Sequence, residues 1–299
     1  MRNKSDIFSE NLIFSAFLFF KSCYIMEQKE TKTRERVEEP MTVETKDHQL
    51  LGSVKNALRL LQSFTLETPE KKLTELALSL GLGKSTVSRL LTTLESEGFV
   101  MKDPESRRYK LGLSVLKLNT IVNSTLEINR ESQPVLKRLT EETGETSHIA
   151  MRCDLSVVYL NRTECPRPVE LLSYIGRQNP MHCTSSGKVL LAFDEDGILD
   201  EYVKDGLKSC TKQTITDGDK LREALKTVKE NGFDISCGEF IDGVTSISAP
   251  VRNHAGRVLY AISVVGPAER IKARQAKIVY QVKKAARDIS ERIGYWQRI

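Results

Sequence analysis

The sequence predicts two domains of different architecture: a mainly α winged helix-turn-helix, followed by an α+β domain built on an antiparallel sheet. Three observations carry this. Apolar residues recur at helical spacing from residue 54 to residue 94, interrupted by one glycine turn. A short basic hairpin pattern follows at residues 99–111. Beyond residue 145, alternating strand-like runs are interleaved with helical stretches, the pattern of a sheet covered by helices. The length of 299 residues suits two cores of unequal size.

In the first domain, Val54, Ala57, Leu58, Leu61 and Phe64 form one apolar stripe, and Thr68, Pro69 and Glu70 end it. A shorter helix buries Leu73, Leu76, Ala77 and Leu80, with Thr74 as its expected N-cap. Gly81, Leu82 and Gly83 make a tight turn, where glycine tolerates positive φ. The third helix opens at Lys84 with a core stripe of Val87, Leu90, Leu91 and Leu94. Its opposite face carries Ser85, Thr86, Ser88, Arg89 and Thr92, short polar groups around one long cation. Two helices joined by a glycine turn fit the helix-turn-helix, whose second helix enters the DNA major groove by its N-terminal residues. Lys84 and the helix N-terminus then hold a phosphate, the hydroxyls reach phosphates or base edges, and Arg89 forks onto guanine. After Gly98, residues 99–100 start a strand, residues 103–106 turn it, and residues 107–111 return, placing Arg107 and Arg108 near the tip of a wing.

The linker helix is expected over residues 113–127. Leu113, Leu116, Leu118 and Ile121 are too many apolar residues for a solvated helix and imply packing against a partner chain. A further helix runs over 129–143 and ends at Gly144, a suitable C′ glycine. Strands are expected at 147–152, 157–162, 233–236, 246–251 and 257–265, and helices at 187–193, 199–203, 220–231 and 272–293.

The remaining composition sets bounds. Apolar residues at 39% and charged residues at 28% are ordinary for a globular chain, and a net charge of +5 is informative only through its placement. Six cysteines (Cys23, Cys153, Cys165, Cys183, Cys210, Cys237) contain no C-x-x-C pair, which argues against a zinc ribbon and for reduced thiols with no redox role assigned to any of them. Residues 12–20 are strongly apolar and follow Arg2 and Lys4, a loose imitation of a signal peptide. The run is shorter than the ~20 residues a bilayer span requires, and no small-x-small cleavage site follows it. Residues 27–47 are dense in Glu, Lys and Arg with little to bury. Residues 1–49 are therefore expected to be a dispensable or disordered extension, with Met26 or Met41 as alternative starts and no membrane partner.

A catalytic reading finds no footing. Residues 185–188 resemble the end of a P-loop, but that motif requires glycine where His182 stands and Ser or Thr where Val189 stands. Neither H-E-x-x-H nor G-x-S-x-G occurs, and His148 and His254 lack ligands at metal spacing. His182 and Cys183, adjacent on an extended segment, point in opposite directions, so the imidazole is assigned a structural hydrogen bond. No enzyme activity, cofactor or metal is expected. The alternative is a small-molecule-binding or catalytic α+β protein whose N-terminal helices serve dimerisation. Arg89, the Lys-Ser-Thr opening at Lys84 and the wing arginines favour DNA binding instead.

Several segments resemble the IclR family of transcriptional regulators. They are SVKNALRLL from Ser53, GKSTVSRLLTTL from Gly83, EGFV from Glu97 and RYKLG from Arg108. In the second domain they are GET from Gly144, GRQNPMH from Gly176, SGKVLLA from Ser186, NGF from Asn231, GV from Gly243, APV from Ala249 and AISVVGP from Ala261. The resemblance extends from about Leu50 to the C-terminus. It implies a winged helix-turn-helix over residues 50–112 and a GAF-like effector-binding domain over 128–299. It also implies operator DNA as partner, a homodimer or dimer of dimers, and repression as the usual mode in the cytoplasm. By position it implies an effector pocket of Ser185, Ser186, Ser236, Ser246 and Ser263, with Met181 and Val244 as apolar walls and a small organic acid or sugar acid as ligand. The family often has aspartate at the position of Ser236; the lone hydroxyl here implies a larger or more acidic ligand.

Overall fold

A computed structural model describes residues 51–65, 67–169 and 174–295. The expectations for residues 1–49 lie outside the described residues. The chain divides into two compact units, with the boundary between Thr125 and Leu126.

The first unit contains α1 (Gly52–Gln62), α2 (Leu73–Leu80), α3 (Lys84–Ser96), β1 (Val100–Lys102), β2 (Tyr109–Leu111) and α4 (Ser114–Thr125). Its core unites Leu60, Phe64, Leu76, Ala77, Leu80, Val87, Leu91, Val100 and Tyr109. Of the expected stripe, Phe64 is buried and Leu61 packs against this core, but Val54 is half exposed and Leu60, outside the stripe, is fully buried. A run of apolar residues around a helix leaves the buried face ambiguous until a partner surface chooses it. Lys72, not Thr74, is the N-cap of α2, and the Glu75 carboxylate accepts from the Lys72 amide at 2.8 Å. Gly81 closes α2 at φ 65°, in the left-handed region.

β1 and β2 pair antiparallel from Val100↔Leu111 to Lys102↔Tyr109, and Tyr109 also bridges to Lys71. This small sheet is pinned at its base by Gly112, where a Cβ would lie 2.1 Å from the Gly98 carbonyl oxygen. On α4, Leu116, Leu118 and Ile121 are exposed, as is Leu113 just before it.

The second unit contains α5 (Glu127–Thr143), β3 (Thr146–Cys153), β4 (Ser156–Thr163), β5 (Gln178–Pro180), α6 (Ser185–Ala192), α7 (Leu199–Asp205), α8 (Gly218–Asn231), β6 (Asp234–Cys237), β7 (Val244–Arg252), β8 (Val258–Pro267), α9 (Ala268–Lys272) and α10 (Gln275–Arg292). The strands form one antiparallel sheet in the order β5-β4-β3-β8-β7-β6. The expected helix over 272–293 is α10, which begins three residues later at Gln275; a separate short helix, α9, ends at Lys272. β5, three residues long, is too brief for alternation to reveal.

Strand alternation assigns the two faces of the sheet. Ser147 on β3 donates to the Leu136 carbonyl of α5 at 3.0 Å, so its side faces α5. His148 and Ala150 point the other way, and their partners on β8 are Ser263 and Ala261. Ala150 and Ala261 belong to a core shared with Val189, Leu190 and Leu191 of α6, Tyr202 of α7 and Leu221, Leu225 and Val228 of α8. α5 and α10 therefore cover one face, and α6, α7 and α8 the other.

Candidate functional site

In the first unit, the N-cap of α3 is Gly83, which supplies no side-chain cap, so the first-turn amides remain outside the helix's own hydrogen bonding. Val87 and Leu91 are buried beneath, while Lys84, Ser85, Thr86, Ser88, Arg89 and Thr92 are all exposed. Among the described residues, neither Lys84 nor Arg89 has an acidic partner, so both cations face solvent. Thr92 turns its hydroxyl back to the Ser88 carbonyl at 3.0 Å.

The two wing arginines differ. Arg107 is exposed at φ 59°, in the turn before β2. Arg108 donates to the Glu70 carbonyl at 3.2 Å and lies 3.5 Å from a Glu75 carboxylate oxygen. The two were expected to act alike; in the structure Arg108 braces the wing against α2, and Arg107 is the free cation.

The second unit holds a buried serine cluster between α6 and the sheet. Thr184 caps α6, accepting from the Gly187 amide at 3.2 Å, and the amides of Ser185 and Ser186 are left unsatisfied by the helix. Gly187 is required here because a Cβ would lie 2.3 Å from the Met181 carbonyl oxygen, so the 180–182 segment crosses directly over the helix. Ser185 donates to Ser246 at 2.7 Å and shares a hydrogen bond with Ser248 at 2.6 Å; Ser186 lies 3.1 Å from Ser248. Ser236 donates to the Cys183 carbonyl at 3.0 Å. Strand pairing places Ser248 in a row across the sheet: Asp234 opposite Ser248, Ser248 opposite Ser263, and Ser263 opposite His148.

A cavity of about 40 Å³ lies beside this row. It is lined by Ser185, Ser186, Ser236, Val244, Ser246 and Ser263, together with Tyr159, Asn179, Thr184, Phe240, Ile241 and Val265. Six of the seven residues singled out from sequence are therefore brought together. Met181 is not a wall of the cavity: it is fully buried in the core below α6 with Tyr159 and Leu190. Ser263 is 1% exposed and its hydroxyl has no hydrogen-bond partner.

Sequence reasoning missed Ser248, although alternation from Ser246 places it on the same face. It also missed Lys188. This residue is 3% exposed, and its ammonium lies 2.7 Å from Glu239 and 3.1 Å from Asp234. Burial raises Asp234 to about 6, even though Lys188 pulls it down. Burial also lowers Lys188, but the two carboxylates outweigh it and hold the ammonium protonated. His182 has the structural role expected of it, with Nδ1 2.7 Å from the Tyr202 hydroxyl and Nε2 3.0 Å from the Lys208 carbonyl. Burial pushes its pKa down.

One unit thus presents a polar helix face with two unpaired cations, and the other holds a serine-lined cavity. Comparison with known proteins gives the family. Residues 53–104 match the IclR helix-turn-helix domain, and residues 120–291 match the bacterial transcriptional regulator IclR C-terminal domain. The chain belongs to the IclR family of transcriptional regulators. It is similar to the HTH-type transcriptional regulator XynR of Escherichia coli, 30% identical over 82% of this chain and 98% of that protein. It is 28% identical to the HTH-type transcriptional repressor AllR of Klebsiella pneumoniae, over 81% of this chain and 90% of that one. Among solved structures, an IclR transcriptional regulator from Alicyclobacillus acidocaldarius aligns with a TM-score of 0.74 and 30% identity, covering 82% of this chain and all of that one. The relatives are regulators, and the chain is a transcriptional regulator rather than an enzyme. Among the described residues, no helix is long and apolar enough to cross a membrane.

Proposed function

We propose that the protein is a repressor whose operator occupancy is set by a small organic acid bound in the serine cavity. The observation that carries the ligand reading is Ser263: a hydroxyl at 1% exposure, without a partner, on the wall of a cavity. A buried polar group left unmade costs on the order of 1–3 kcal/mol, and a ligand oxygen removes that cost. The amides of Ser185 and Ser186 add donors at a helix N-terminus, the arrangement that suits a carboxylate. Repression is the mode stated for AllR.

The cavity holds only a few heavy atoms as it stands, so a sugar acid requires Phe240 and Ile241 to move outward. That requirement supports control by population shift: a ligand that prefers the opened form biases the protein only by its difference in affinity between the two forms. Self-association through the exposed apolar residues of α4, as a dimer or dimer of dimers, would present two copies of α3 to the half-sites of an operator. Cytoplasmic location follows from the same role.

The test is a titration of the chain's upstream DNA with and without metabolite extract, for wild type and Ser263→Leu. Leucine fills the cavity and leaves a ligand oxygen without its partner. The variant is expected to bind DNA as wild type does and to lose the response to extract. A full wild-type response in Ser263→Leu places the effector elsewhere.

A further inference from the structure

Cys183 adjoins Thr184 of the cavity lining, and Cys210 lies on a loop that belongs to neither helix nor sheet. Their sulfurs are 3.9 Å apart, in contact but unbonded. Cys183 is fully buried and directly precedes the Thr184 cap of α6; Cys210 is exposed. The 208–214 loop that carries Cys210 is fastened to two segments that lead into the cavity lining. On one side, the Lys208 carbonyl meets His182 Nε2 at 3.0 Å. On the other, Thr211 donates to the Gly238 carbonyl and Thr214 to the Glu239 carbonyl, both at 2.6 Å. Residues 238–239 lead directly into Phe240 and Ile241 of the cavity lining.

We propose that Cys183 and Cys210 form a peroxide-oxidised dithiol, and that their disulfide clamps the 208–214 loop across the cavity wall. Exposure assigns the order of events. The Cys210 sulfur attacks hydrogen peroxide: an S–O bond forms, the O–O bond breaks, and the departing hydroxide takes the thiol proton as water. The Cys183 sulfur then attacks the Cys210 sulfenic acid: an S–S bond forms, the S–O bond breaks, and the hydroxyl leaves with the Cys183 proton as a second water. The pair gives up two electrons and one peroxide becomes two waters. Burial and the neighbouring Cys210 push the Cys183 thiol well up, which keeps it from reacting first. Closure brings the sulfurs from 3.9 Å to about 2.05 Å.

The clamp's effect on effector response rests on the cavity reading; formation of the disulfide does not. Full-length protein is treated with hydrogen peroxide, blocked with an alkylating agent and mapped by peptide mass spectrometry, with dimedone added in parallel to trap sulfenic acid. Wild type is expected to lose two thiols per chain as one intramolecular peptide pair joining Cys183 to Cys210. Cys210→Ser is expected to lose this link, and Cys237→Ser, a change at another exposed thiol, to retain it. Amide hydrogen exchange over 184–186 and 238–243 is expected to slow on oxidation of wild type but not of Cys210→Ser. A dimedone adduct on Cys210 with no linked peptide overturns the dithiol, and linkage without slower exchange overturns the clamp. Neither readout involves ligand or DNA, so both outcomes stand apart from any failure of the effector site.

Discussion

Replacing Lys188 by methionine strips two buried carboxylates of the one cation that pairs with them among the described residues. The ammonium is 2.7 Å from Glu239 and 3.1 Å from Asp234, and all three side chains are nearly inaccessible. Breaking a buried ion pair by removing one partner costs about 3–5 kcal/mol, because the remaining charge has neither water nor counterion. Lys188→Met is expected to lose that amount at pH 8. The pH dependence follows from Asp234. Its folded value, about 6, lies above its ordinary value near 3.9, so between those values the folded chain holds more protons than the unfolded one. Stability from this group is then full at the acid end and falls as pH rises through the folded value. Without the ammonium the carboxylate titrates higher still. The deficit of Lys188→Met is therefore expected to shrink at pH 5, where a protonated Asp234 needs no cation. Adding Asp234→Asn to the methionine variant is expected to recover part of the loss at pH 8. Urea unfolding of the full chain, followed by far-UV circular dichroism and fitted as two transitions, measures all three proteins. A deficit below about 1 kcal/mol at pH 8, the range of exposed pairs, or one unchanged between pH 5 and 8, refutes the reasoning.

Two other changes address the first unit. Arg89→Ala is expected to cost roughly 1–3 kcal/mol of operator affinity through loss of a bidentate base contact, whereas Lys84→Ala weakens all sequences alike and lowers the salt slope by about one; operator binding unchanged in Arg89→Ala contradicts the assigned orientation of α3. Gly112→Ala drives a Cβ to 2.1 Å from the Gly98 carbonyl oxygen and is expected to destabilise the wing by about 1–3 kcal/mol; an unshifted melting transition for the first unit shows that the β1–β2 base yields more easily than its packing implies.

The sequence alone determined what periodicity and local chemistry encode. Gly81 stops α2 in a conformation glycine adopts without strain, and Val87 and Leu91 fix which side of α3 is buried, leaving Lys84 and Arg89 on the other side. Alternation on β7 and β8 likewise directs Ser246 and Ser263 to one face, and that rule extends to Ser248. Only the tertiary structure decided the rest, because those features depend on groups far apart in the chain. Leu60 is buried because α2 and α3 supply the surface it meets. Arg108 is engaged because Glu70 and Glu75 fold beneath it. Lys188 looks like a solvated helix lysine until β6 brings Asp234 within 3.1 Å and the following turn brings Glu239 within 2.7 Å. Met181 looks like a cavity wall until the missing Cβ of Gly187 lets its backbone settle onto α6, with its side chain in the core. Cys183 and Cys210 match no spacing motif, since their meeting depends on threonine hydroxyls anchoring the 208–214 loop to the carbonyls of residues 238 and 239. Hydrophobic period and turn chemistry are local and readable, whereas charge pairing and sulfur contact exist only once separate strands and loops have been packed together.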